Sequence, residues 1–227
     1  IFLARCNLQC VFCQNAEISQ RGDGAVVSPA RLAAMMLDLQ RLGCRNINLV
    51  TPTHQIFQIL RALPIAVQAG LNLPLVYNCG GYESLEALRL LDGIVDIYMP
   101  DFKYADADTA RRYSGVEDYP DTAKAALREI HRQVGDLVLD RWGVARRGLL
   151  VRHLVLPEDL AGTAEVVAFL ASLSPHTYVN IMGQYRPCHR AWEYPPLARR
   201  PRADEMARAV RLARAAGLTR LDGVRGC

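Results

Sequence analysis

Apolar positions along the chain switch period repeatedly, from about two to about 3.6 residues and back, which predicts strand and helix in alternation. The chain opens inside an apolar run, Ile1-Phe2-Leu3, without a start signal, so it reads as the end of a strand expected to begin upstream. Ser28-Pro29 then has the form of a helix N-cap with proline at the first helical position, and Leu32, Met35, Met36, Leu39 and Leu42 recur at helical spacing up to Gly43. A strand at 46–51 and a helix at 56–69 follow. The unit repeats as strand 75–78 with helix 84–91, and again as strand 94–99.

Between 105 and 135 the pattern predicts two helical pieces broken near Ser114-Gly115, the second running over 122–134. Residues 137–147 read as a hairpin or loop insertion before a fifth strand at 149–156. A helix at 165–173, a sixth strand at 178–182 and, after a proline-rich connection, an amphipathic helix at 203–216 complete the chain. Six strand–helix alternations, spaced for crossover helices, predict an α/β fold with parallel strands and right-handed connections. With 227 residues the expected form is a partial (β/α)6 TIM-like barrel, one domain over 1–227 with the helix at 203–216 packed on the barrel; the closed eight-unit form typically needs about 250.

In such an architecture ligands gather at the carboxyl ends of the strands. The chemically distinctive residues fall there. Cys6, Cys10 and Cys13 form a C-x3-C-x2-C array directly after the first apolar run. Thiolates are the usual ligands of iron–sulfur clusters, and three of them on a four-iron cube leave one iron open to an exogenous ligand. Thr51-Pro52-Thr53-His54, Asn78-Cys79-Gly80-Gly81, Asp101 with Lys103, Arg152-His153 and Gln184-Tyr185 stand at later strand ends.

Composition narrows the field. An odd count of seven cysteines, three of them crowded into eight positions, argues against a disulfide framework and for a reduced compartment with a metal centre. No run approaches the roughly 18 apolar residues of a membrane span and no secretory pattern opens the chain, so a soluble, cytoplasmic protein is expected. The net charge of +4 is concentrated beyond residue 189, where nine arginines face four acids. Few aromatics and no binding motif accompany them, so this reads as a solvated helix face and argues against a nucleic-acid partner.

Ordinary explanations compete for several of these residues. The cysteines could hold zinc with His54 or Cys79 as fourth ligand, although structural zinc usually pairs C-x2-C knuckles. A fourth protein ligand such as Cys79 would instead make the cluster a non-catalytic electron carrier or redox sensor. Asp101 and Lys103 could be a plain strand-end ion pair, His54 a helix cap, and Cys79 a buried structural thiol. Arg152 and His153 are neighbours on a strand and point to opposite faces, so one of them belongs to the core side. Met35-Met36 reads as core packing, and Cys44, Cys188 and Cys227 receive no functional reading.

The cysteine loop, with Phe12 just before its third cysteine, resembles that of the radical S-adenosylmethionine (SAM) enzymes. Further stretches, Asn46-Ile-Asn-Leu-Val-Thr-Pro-Thr-His54, Val95-Asp-Ile-Tyr-Met-Pro-Asp-Phe-Lys-Tyr104, Gly148-Leu-Leu-Val-Arg-His-Leu-Val-Leu-Pro157 and Tyr178-Val-Asn-Ile-Met-Gly-Gln-Tyr185, resemble a subgroup labelled pyruvate formate-lyase activating enzyme-like, over nearly the whole chain. The resemblance implies a [4Fe–4S] cluster on Cys6, Cys10 and Cys13, S-adenosyl-L-methionine on its open iron, and an external flavodoxin- or ferredoxin-like electron donor. It implies reductive cleavage of SAM to a 5′-deoxyadenosyl radical that abstracts hydrogen, from a glycyl-radical enzyme, a peptide or a small molecule. Phe12 would lie against the adenine, Asp101 and Lys103 beside the methionine moiety, and Asn78, His153, Gln184 and Tyr185 contact the cofactor by position. Where many members carry Gly-Gly-Glu after the second strand, this chain has Thr51-Pro52-Thr53-His54; the amino-group contact then falls to Thr51 or to backbone carbonyls.

Overall fold

The computed structural model describes residues 1–222; Cys227 lies outside them. Its sheet runs β1 (Ile47–Val50), β2 (Leu75–Asn78), β3 (Ile97–Tyr98), β5 (Ala145–Leu154), β6 (Tyr178–Met182) and β7 (Leu221–Asp222), every neighbouring pair parallel. The short β4 (Val138–Leu139) pairs antiparallel with the start of β5, which is the hairpin expected at 137–147. At the other edge Phe2 makes a single parallel bridge to Val50. Six units therefore succeed one another in chain order, from the Phe2 segment to β6, with β7 added beyond, and the sheet is open and not closed.

Helices cover the outer face: α1 (Pro29–Arg41), α2 (Ile56–Gln68), α3 (Leu85–Leu90), α4 (Ala107–Ser114), α5 (Tyr119–Val134), α6 (Thr163–Leu173) and α7 (Ala203–Ala215). Their ends follow local chemistry. Ser28 caps α1 by accepting a hydrogen bond from Arg31 N at 3.1 Å, Asp106 caps α4 from Thr109 N at 2.7 Å, and Gly115, at φ 79°, stops α4 where a side chain would be strained. Among the described residues no helix is long and apolar enough to cross a membrane.

Strand alternation sorts the side chains between core and barrel interior. On β1, Ile47 and Leu49 are buried against Leu32 and Met36 of α1 and Ile59 and Leu63 of α2, each such side chain worth roughly 1.5–3 kcal/mol. Asn48 and Val50 between them face the interior cavity. Likewise Val151 and His153 of β5 are wholly buried on the helix side, and Arg152 and Leu154 face the cavity. Three expectations change in detail. The first strand is one bridge, the fourth shrinks to Ile97–Tyr98 plus an isolated bridge between Asp101 and Arg152, and the fifth starts earlier, at Ala145, because β4 supplies a pairing partner.

Candidate cofactor site

The carboxyl ends of the strands enclose a cavity of about 520 Å³, within the roughly 300–1,000 Å³ usual for a small-molecule site. The cysteine loop roofs one side of it. Leu8, Val11 and Phe12 anchor that loop in the main core, and Phe12 sits edge-on to Tyr104 and Tyr185, with ring centroids 6.4 and 5.7 Å away. The loop leaves through a single π-helical turn, Glu17–Arg21, closed by Gly22 at φ 82°.

Cys6, Cys10 and Cys13 all line the cavity, and each sulfur faces a hydrogen-bond donor. Leu8 N lies 3.4 Å from Cys6 Sγ, and Ser114 Oγ donates to Cys10 Sγ at 3.0 Å. Ser19 Oγ lies 3.1 Å from Cys13 Sγ and accepts from Gln20 Nε2 at 3.2 Å, which leaves its proton for the sulfur. As free thiols, Cys6 and Cys10 are pushed up by burial, Cys10 to about 11. Donors on every sulfur, with ionisation resisted by burial, suit thiolates neutralised by a bound cation.

Opposite the loop, Asp101 takes Lys103 Nζ at 2.5 Å on one oxygen and, on the other, Arg152 Nε at 2.8 Å and its terminal nitrogen at 2.6 Å. Burial pushes the Asp101 carboxyl up, but the Lys103 and Arg152 cations outweigh it and hold it below the usual carboxylate range. Lys103 is depressed by burial and raised further by Asp101, so it stays charged. Two cations on one carboxylate leave this wall net positive, with ammonium protons to spare. Tyr119 fixes its backbone: the hydroxyl accepts from Lys103 N at 2.9 Å and faces Gly80 O and Asp101 O at 2.9 and 3.1 Å.

Residues 1–143 match the family model described as the radical SAM superfamily. The chain belongs to that superfamily. A relative by sequence, an uncharacterized protein of Methanocaldococcus jannaschii, is 32% identical over 223 residues, 94% of this chain and 61% of its own length; the chain thus spans about three-fifths of that relative. Two solved structures share the fold. A radical SAM methyltransferase from Sphaerobacter thermophilus superposes with TM-score 0.63 at 16% identity over 96% of this chain and 63% of its own. The FeFe-hydrogenase maturase HydG from Carboxydothermus hydrogenoformans gives 0.65 at 13% identity over 97% and 51%.

Radical SAM proteins bind a [4Fe–4S] cluster and SAM, and the donor set here fits both. Among the described residues no three cysteine, histidine or acidic side chains converge on one metal ion, the arrangement a lone zinc would need. A four-iron cube instead takes each thiolate on a different iron, so its ligands need to ring a volume and not a point. Cys79 also borders the cavity, but its thiol is buried and hydrogen-bonded to Glu83, and both burial and the Glu83 charge hold the proton on it.

Phe12, Thr51, Asn78, Asp101, Lys103, Gln184 and Tyr185 also line the cavity. Tyr185 offers its ring, since its hydroxyl already donates to Leu197 O at 2.7 Å. His153 does not reach the cavity. Its ring is wholly buried on the helix side, with Nδ1 at 2.8 Å from Phe102 O and Nε2 at 3.0 Å from Thr163 Oγ1 at the start of α6; burial lowers its affinity for a proton. Arg152 takes the inward place. His54 lies 2.6 Å from Ala4 O and ties the cysteine loop's entry to the turn after β1. Sequence reasoning passed over Asn48, whose buried Oδ1 has no hydrogen-bond partner among the described residues, and Glu83, buried in the loop after β2. Inward strand parity relative to Val50 was the signal for Asn48.

Proposed function

We propose that this protein is an iron–sulfur enzyme that reductively cleaves SAM and uses the resulting radical for hydrogen abstraction. The observation that carries the reading is the convergence of three donor-facing thiols and the Lys103–Asp101–Arg152 group on one cavity. In this reading Cys6, Cys10 and Cys13 hold the cluster and leave its fourth iron to the cofactor's amino and carboxylate groups. When bound, the cluster would supply the one-electron reducing power for cleaving SAM's sulfonium C5′–S bond.

The chain's own residues bind, orient and exclude water. Lys103 and Arg152 present cationic donors to a carboxylate, and Asp101 fixes both. Thr51, held at φ 58° with its N–H on Asn78 O at 2.8 Å, lines the cavity, and in this reading it or nearby backbone carbonyls would accept from the amino group. The Phe12 ring and Tyr185 offer apolar faces for adenine, Gln184 a polar contact at the exposed rim. Val50, Leu154 and Met182 extend the cavity with an apolar wall, which suits a substrate carbon presented to the radical. Asp101-x-Lys103 resembles the activases of glycyl-radical enzymes, which supports a protein or peptide target, and a flavodoxin- or ferredoxin-like protein would deliver the electron. Anaerobic reconstitution and chemical reduction should yield 5′-deoxyadenosine from SAM, and Cys10→Ala should abolish cluster and cleavage together. A full [4Fe–4S] complement without cleavage would overturn the reading.

A further inference from the structure

Cys10 is the deepest of the three cysteines, and its sulfur is reached by a hydroxyl more than a hundred positions away in sequence. Ser114, the last residue of α4, places Oγ 3.0 Å from Cys10 Sγ. Behind it the Tyr104 hydroxyl lies 2.8 Å from Ser114 Oγ. Both residues are fully buried. The placement is enforced by backbone: carbonyls at the end of α4, which have no partner within the helix, accept from the cysteine loop, Ser114 O from Gln9 N at 3.0 Å and Tyr113 O from Val11 N at 2.9 Å.

Proton accounting fixes the direction. Among the described residues the Tyr104 hydroxyl has Ser114 as its hydrogen-bond partner, so its proton points to Ser114 Oγ. The Ser114 proton is then free for Cys10 Sγ, and a metal-bound thiolate can only accept it. The chain reads Tyr104→Ser114→Cys10. Cys13 also faces a serine, Ser19, but that pair is partly open to solvent, where water competes. The Ser114 bond lies in a dry, low-dielectric environment in which a donor to charged sulfur counts for most.

We propose that the Tyr104–Ser114 pair is a positioning device that raises the reduction potential of the cluster held by Cys10. This rests on the cluster assignment given above. On reduction one electron passes from the external donor to the cluster, [4Fe–4S]²⁺ becomes [4Fe–4S]⁺, the donor is oxidised by one electron, and no bond at Cys10 breaks. The added negative charge spreads to the sulfurs, so a fixed donor stabilises the reduced form more than the oxidised one.

The test is an anaerobic redox titration of the reconstituted chain, followed by EPR of the reduced cluster, with iron and sulfide counted for each variant. Ser114→Ala should move the midpoint to more negative potential by about a tenfold change in the reduction equilibrium, about 59 mV for one electron. Tyr104→Phe keeps the Ser114 donor but removes its polarising partner, so a smaller shift of the same sign is expected. A Ser114→Ala protein with a full cluster that titrates at the wild-type potential overturns the proposal. Should Ser114→Ala fail to hold the cluster, an unshifted Tyr104→Phe overturns it instead. Failure of the wild-type chain to take up four irons would instead strike the cluster assignment, so the two failures are distinct.

Discussion

The Tyr77 hydroxyl donates to Glu83 Oε2 at 2.8 Å while Thr53 Oγ1 donates to Oε1 at 2.7 Å, so one buried carboxyl joins β2, the loop after it and the turn after β1. Burial pushes this carboxyl from the ordinary 4.5 to about 7, against the pull of Thr53, Tyr77 and Cys79. The unfolded chain loses the proton near 4.5, and the native protein keeps it to about 7. Stability from this group is therefore complete below 4.5 and is lost as pH rises to about 7, by on the order of 3 kcal/mol at ~1.4 kcal/mol per unit. Glu83→Gln removes the charge and keeps one acceptor oxygen, its amide nitrogen replacing the other. Urea midpoints measured from pH 4.5 to 8 should show the variant gaining on wild type across that interval; parallel profiles would refute the assignment.

Tyr119, itself fully buried, joins three backbone groups from two loops, and removing its hydroxyl leaves the part-buried Lys103 N–H without that acceptor. Tyr119→Phe should cost roughly 1–3 kcal/mol. The same loop admits no side chain at Gly81, where φ is 80° and a Cβ would stand 2.0 Å from Asp101 O. Equilibrium urea unfolding with unchanged m-value would register the loss, and SAM cleavage should fall with it because the Asp101–Lys103 wall loosens.

What could be read from sequence was whatever local chemistry or strand-end position dictates. Ser28-Pro29 announces α1 by its cap, Gly115 announces the end of α4, and residues at strand carboxyl ends share a cavity because parallel order puts them there. Parity was harder. Arg152 and His153 are adjacent, and which of them faces inward depends on the register Arg152↔Asn180 and His153↔Ile181, a tertiary fact. The turn Glu17–Arg21 is too short to carry a period, and Ser114 became visible as a partner of Cys10 when packing brought them together across 104 residues.

Asp101 is the single carboxylate between two cations, which makes it unequal to either partner. Asp101→Asn leaves Lys103 and Arg152 facing each other in a largely buried site, and a loss on the order of 3 kcal/mol is expected. Arg152→Met removes one cation while Lys103 still pairs the carboxylate, so its cost should be smaller. It should also change acid behaviour. Burial raises the Asp101 carboxyl, Lys103 and Arg152 lower it, and the net depression adds stability above the ordinary carboxylate pKa that disappears as pH falls through the depressed value. With Arg152 gone that loss begins at higher pH, which circular dichroism during acid titration can follow. Equal costs for the two variants would contradict this picture.

Thr51 occupies the left-handed region at φ 58°, a conformation a β-branched residue adopts only under constraint, and it does so on the cavity wall. Strain of this kind costs about 1–3 kcal/mol. Glycine would release it but adds roughly 0.5–1 kcal/mol of backbone entropy to be lost on folding. Release is the larger effect, so Thr51→Gly should leave the protein more stable by about 1 kcal/mol, visible as a raised Tm. The side chain of this cavity-lining residue, hydroxyl included, disappears in the same step. If Thr51 supplies the amino-group acceptor that replaces Gly-Gly-Glu, the more stable variant must bind SAM more weakly, and the two effects carry opposite signs. Isothermal titration of the reconstituted protein with SAM separates them: weaker binding with a higher Tm supports a functional strain, whereas unchanged binding would make Thr51 a backbone accident of the β1 exit.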